Sequence, residues 1–82
     1  MARYWFENCP SCQQGRLFVE VRIDTGTLML ECEECSRAWV SPDEVSPTKN
    51  AFLAIDVVSR LANIEDIEMS GWSKWEFHEA TG

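Results

Sequence analysis

The chain carries its four cysteines as two pairs, Cys9-Pro10-Ser11-Cys12 and Cys32-Glu33-Glu34-Cys35, with nineteen residues between them. Each C-x₂-C turn offers two thiolates to one ion. Two such turns complete a tetrahedron of the kind zinc prefers, with Zn–S distances near ~2.3 Å. That arrangement requires the nineteen residues to double back, so that the two pairs meet in space. Two disulfides or four free buried thiols are the other readings of the same residues. A chain of 82 residues buries a limited fraction of its surface, so a metal staple would contribute to its folding.

The residues between the pairs satisfy the requirement. Leu17, Val19, Val21 and Ile23 alternate with Arg16, Glu20, Arg22 and Asp24, the period of a half-buried strand, and only Phe18 breaks the pattern. Asp24-Thr25-Gly26-Thr27 is a turn signal, after which Leu28 and Leu30 resume the alternation. The spacing predicts a β-hairpin over residues 16–32 with a cysteine pair at each end. Tyr4-Trp5-Phe6 suits a brief strand before the first pair, and Arg37 to Val40 another after the second.

The second half reads as helical. Ser41-Pro42-Asp43-Glu44 has the form of a capping box that opens a single turn, and Ser46-Pro47 is a second start. From Thr48 to Ala62, Asp56, Ser59, Arg60 and the following Asn63 fall at i, i+3, i+4 and i+7, and the rest is mostly apolar. This predicts a longer helix with a broad buried face, in which Asp56 and Arg60 form an i, i+4 pair. Asn63 is expected to cap a second, short helix closed by Gly71. The segment from Trp72 to His78 is either a terminal strand or a loop with aromatic anchors.

Charge narrows the function. The formal net charge is −7, with four basic and six acidic side chains in residues 1–41 and three basic and eight acidic in 42–82. Such a field repels phosphate backbones and anionic membranes and attracts basic partners. The four-thiolate site is closed, and a closed site is structural. There is one histidine, His78, no glycine-rich phosphate loop and no nucleophile motif, so the expectation is a protein that is not an enzyme. No apolar run reaches the ~18–20 residues of a bilayer span, and the start lacks a signal-peptide core, so the chain reads as cytoplasmic.

The two cysteine pairs on a hairpin resemble the knuckles of a zinc ribbon, over residues 4–41. With the helices expected after it, this gives an α+β fold: a zinc-ribbon β-hairpin sheet followed by one longer and one short α-helix packed on it. The whole chain, 1–82, is then a single domain with a helical extension over 42–82. Cys9, Cys12, Cys32 and Cys35 would hold a structural Zn²⁺. A rubredoxin-like iron site is a weaker likeness, because Gln13 and Ser36 stand where such knuckles usually place glycine. The wider layout, from Tyr4-Trp5-Phe6 through Ile64-Glu65-Asp66-Ile67 to Gly71-Trp72, is similar in style to small bacterial immunity proteins of polymorphic and contact-dependent-inhibition toxin systems. That likeness implies a basic protein partner, a toxin domain; the clustered acids and tryptophans of the second half make Glu65, Asp66 and Glu68, with Trp72 or Trp75 as anchor, the residues expected to meet it. A nucleic-acid-associated zinc ribbon is the alternative, and it lacks the basic composition such a role asks for.

Overall fold

A computed structural model describes residues 2–81. One seven-stranded sheet dominates it, in the order β5-β4-β3-β2-β1-β7, with β6 pairing on β2 off this path. The strands are β1 (Ala2–Asn8), β2 (Arg16–Arg22), β3 (Leu28–Cys32), β4 (Arg37–Trp39), β5 (Phe52–Leu53), β6 (Ser59–Leu61) and β7 (His78–Thr81). One short helix, α1 (Ile64–Met69), and two 3₁₀ turns, Pro42–Glu44 and Trp72–Lys74, complete the elements. Among the described residues no helix is long and apolar enough to cross a membrane.

The alternating residues of the first half form the expected hairpin. β2 and β3 pair antiparallel from Leu17↔Cys32 to Val21↔Leu28, and Gly26 turns between them at φ +75°. One face of this ladder carries Leu17, Val19, Val21, Leu28 and Leu30 into a core closed by Trp39, Ala62, Ile67 and Trp72. Trp39 is fully buried, and its indole Nε1 donates to the Lys49 carbonyl at 3.0 Å. Phe18, the residue that breaks the alternation, is buried on the opposite face. The guanidinium groups of Arg3 and Arg16 lie 4.1 and 4.8 Å from its ring centre and roof it in place of a second layer.

The longer helix expected over 48–62 does not form, and the fold is mostly antiparallel sheet instead of α+β with packed helices. Two physical causes are visible. Asn50 adopts φ +68°, outside the right-handed helical region. More important, on the edge of β2 away from β3, β1 leaves the second half of the strand without a partner. β1 steps three residues, Trp5 to Asn8, where β2 steps two, Phe18 to Arg16, and this bulge goes with a ladder that ends at Phe18. The freed edge, Glu20 to Arg22, needs hydrogen-bonding partners. β6 supplies them through Glu20↔Leu61, Val21↔Arg60 and Arg22↔Ser59. Between β5 and β6 the chain crosses the second sheet face, placing Phe52, Ala54 and Val57 against Met29 and Ala38. The segment thus has apolar residues on both of its sides, and a helix reading follows from composition alone.

The expected Asp56–Arg60 pair is also replaced: Arg60 Nη1 binds Asp66 Oδ2 at 2.8 Å. The short helix does form. Asn63 Oδ1 accepts from the Asp66 N–H and the Asp66 carboxylate accepts from the Asn63 N–H, both at 2.9 Å, and Gly71 follows the helix at φ +76°. The final segment includes a strand, β7, which runs along β1 from Trp5↔His78 to Ala2↔Thr81.

Candidate metal centre

The turns β1–β2 and β3–β4 lie at the same end of the sheet, because each returns the chain from one antiparallel strand to the next. The first holds Cys9 and Cys12 and the second Cys32 and Cys35. All four Sγ atoms fall within 4.8 Å of one another. The cross-turn pairs are Cys9–Cys35 at 3.8 Å and Cys12–Cys32 at 3.5 Å. A tetrahedral ion with metal–sulfur bonds of ~2.3 Å separates its ligand atoms by about 3.8 Å. The thiols are unpaired by disulfide and spaced to share one ion.

Backbone geometry points the sulfurs inward. In the first turn Cys9 N–H donates to the Gly15 carbonyl at 2.7 Å, and Gln13 N–H to the Cys9 carbonyl at 3.0 Å. In the second, Glu34 N–H and Cys35 N–H approach Cys32 Sγ at 3.3 and 3.4 Å, while Gln14 N–H approaches Cys12 Sγ at 3.5 Å. These donors favour thiolate and fix ligand direction. Gly15 packs under the cluster, where a Cβ would lie 2.8 Å from Cys32 Sγ. Gln13 and Ser36 take φ +57° and +62°, the conformation for which glycine is usually selected. The missing glycines therefore do not separate zinc from iron, because the backbone reaches the shape without them.

The thiols differ in acidity. The N–H of Gln14 leads in pulling the Cys12 thiol down to about 6, whereas burial pushes Cys32 up to about 12. Ionising all four sulfurs in so small a space requires a positive ion among them. Two arginines brace the surround. Arg16 donates through its backbone N–H and Nε to Glu33 Oε2, both at 2.9 Å, and Arg37 Nη1 reaches Ser11 Oγ in the other turn at 3.0 Å. Cys9 and Cys32 also belong to the main core with Trp39.

The chain matches no known protein family, no curated protein and no solved structure. The reading of the site rests on its own geometry.

The residues expected to meet a partner lie outside the four-cysteine cluster. Glu65 and Glu68 are exposed on α1, while Asp66 is half-buried in the capping box and bonded to Arg60. Trp72 is only 8% exposed, stacks on Phe77 with ring centres 6.2 Å apart and meets Trp75 edge-on at 6.3 Å. It is a core residue. Trp75 is half-buried, with Lys74 Nζ 4.5 Å from its ring centre. His78 packs its ring 4.6 Å from that of Trp5. Sequence reasoning missed the aliphatic residues that reach solvent, Met69 and Ile64 on α1 and Ile23, Val40, Leu53, Ile55 and Val58 elsewhere. Apolar identity alone gave no signal for them.

Proposed function

We propose that the protein is a non-enzymatic zinc-binding module that binds another protein, as an immunity protein that neutralises a basic toxin domain. The observation that carries the metal part is the meeting of four thiols within 4.8 Å. With every coordination position taken by sulfur, no site is left for substrate or activated water.

The partner half of the proposal is supported by charge and by α1. The net charge is −7. Glu65 and Glu68 stand exposed beside Met69, 87% exposed, and Ile64, 48% exposed. An aliphatic anchor ringed by carboxylates suits a basic cleft such as a nuclease active site. Met69 takes the anchoring place that the buried Trp72 cannot fill, and Trp75 is half-buried against the core. Steering by the acidic field speeds association at low salt.

Two measurements test the proposal. Elemental analysis of the purified protein should find one zinc per chain. Binding to a basic nuclease toxin domain, followed by surface plasmon resonance, should weaken with salt and fall at least tenfold in Glu65→Lys/Glu68→Lys. Salt-independent binding, or no change in that variant, would refute the partner half. The left-handed Gln13 and Ser36 keep an iron-loaded, electron-transferring reading in play. A visible absorption band in the purified protein, with iron by elemental analysis, would establish it over zinc.

A further inference from the structure

Two arginines hold the cysteine turns together, and they do so crosswise. Arg16 follows the first turn and holds Glu33, which lies inside the second. Arg37 follows the second turn and holds Ser11, which lies inside the first. The two holds are unequal. Arg16 donates to the Glu33 carboxylate through its backbone N–H and Nε at 2.9 Å and through Nη2 at 3.3 Å. The Glu33 N–H donates back to the Arg16 carbonyl at 3.1 Å. A bidentate ion pair set in backbone bonds is among the firmer surface contacts. Among the described residues Arg37 makes no ion pair and has only the Ser11 hydroxyl, reached by Nη1 at 3.0 Å in an exposed bond.

The thiols divide in the same way. Cys32, next to Glu33, is 2% exposed, and Gly15 closes over its sulfur, where a Cβ would lie at 2.8 Å. Cys9 is 1% exposed and belongs to the core. Cys12, next to Ser11, and Cys35, two residues before Arg37, are half-buried. The weaker hold therefore borders the two thiols that solvent reaches, and the stronger one borders a thiol that it does not. An ion leaves a four-sulfur site one ligand at a time. The sulfur lost first is the one that an incoming group can reach and that its own turn lets swing outward.

We propose that the metal exchanges through the Cys12 and Cys35 side of the cluster, with the Arg37–Ser11 bond as the gate that sets the rate, while Arg16 and Glu33 keep the Cys32 side shut. This rests on the metal half of the function proposed above. Arg37 and Ser11 are positioning residues, since neither is a ligand and each acts by holding one turn against the other. The centre is then fixed toward the sheet and exchangeable toward solvent.

Limited alkylation of the zinc-loaded full chain with iodoacetamide tests this, with zinc measured on the same sample and the labelled cysteines located by peptide mass spectrometry. Cys12 and Cys35 should carry the label first, and Cys9 and Cys32 only after the ion has gone. Ser11→Ala, which keeps the charge of Arg37, should speed zinc transfer to a chromogenic chelator about fivefold, the worth of one exposed hydrogen bond to a charged group. It should quicken labelling at Cys12 and Cys35 alone, with circular dichroism unchanged. In a chain already carrying Arg37→Gln, Ser11→Ala should add nothing, because the two residues make one bond. First labelling at Cys9 or Cys32 would overturn the proposal. So would native-rate zinc transfer in Ser11→Ala, or an undiminished effect of that change beside Arg37→Gln. A chain that takes up no zinc would refute the metal reading and the gate with it, whereas those other results, in a zinc-loaded chain, refute the gate alone.

Discussion

A Cβ at Gly15 would lie 2.8 Å from Cys32 Sγ and 3.0 Å from the Glu34 backbone nitrogen, so neither contact can yield without moving the second turn. Gly15→Ala should lower metal affinity at least tenfold in a chelator competition and cost about 1–3 kcal/mol of stability. Gly26→Ala, strained at φ +75° but in open space, should cost less and leave the metal untouched. The ligands themselves were legible in the sequence because thiol spacing is a local code. Glu31 was not. It pairs with Phe18 in the β2–β3 ladder and lies diagonally from Glu20 on the same face, and its carboxyl is pushed up to about 7, first by burial and then by Glu20. A carboxyl whose pKa is raised on folding takes up a proton as the chain folds. Its favourable contribution is complete below the unfolded value near ~4.3, declines as pH rises, and is gone above about 7. Glu31→Gln cannot ionise, so its melting temperature should exceed that of the native protein by more at pH 8 than at pH 5, with metal in excess at both. An equal difference at the two pH values would contradict this. Nothing in the string of letters reveals that two acids eleven positions apart share a sheet face, since that depends on register.

Elements differ in how much of their cause is local. The capping of α1 is local, and Asn63, Asp66 and Gly71 announced it. Asn63→Ala removes one half of a reciprocal capping pair and should cost ~1 kcal/mol. That corresponds to a fall of ~4–8 °C in melting temperature for a domain of this size, while the metal content should stay the same. The segment over residues 48–62 is the opposite case. Its polar residues Asp56, Ser59 and Arg60 fit a helical stripe, and Ile55, Val57 and Val58 fit a strand equally well. What decides between them lies elsewhere, in the β1 ladder that ends at Phe18 and leaves the edge from Glu20 to Arg22 to β6. A window confined to residues 48–62 cannot contain that information.

For the whole molecule, the four-cysteine cluster joins the turns of four strands, and an ion held there would tie them together. β1 with β2 and β3 with β4 turn at the cysteines, and Cys9 and Cys32 are part of the main core. Removing the ion should therefore unfold more than two turns. Chelation should lower the melting temperature by ~20 °C or more, since a structural ion contributes several kcal/mol and each is worth ~4–8 °C. Restoring zinc should reverse the loss. A melting curve indifferent to chelator would mean that the sheet stands without its ion. The hairpin and the ligand set were readable because their parts are close in sequence or obey fixed spacing. The sheet order was not, because its outermost pairing joins the first strand to the last. That pairing has a mechanical consequence. Ala2 faces Thr81 at the outer end of the β1–β7 ladder, so a pull on the two ends acts across the strands and peels them one bond at a time. Resistance should be slight until the tear passes Trp5 and His78. Beyond them, tension reaches strands clamped by the four sulfurs, and a tethered molecule should give way in two steps, the second of which vanishes with the metal.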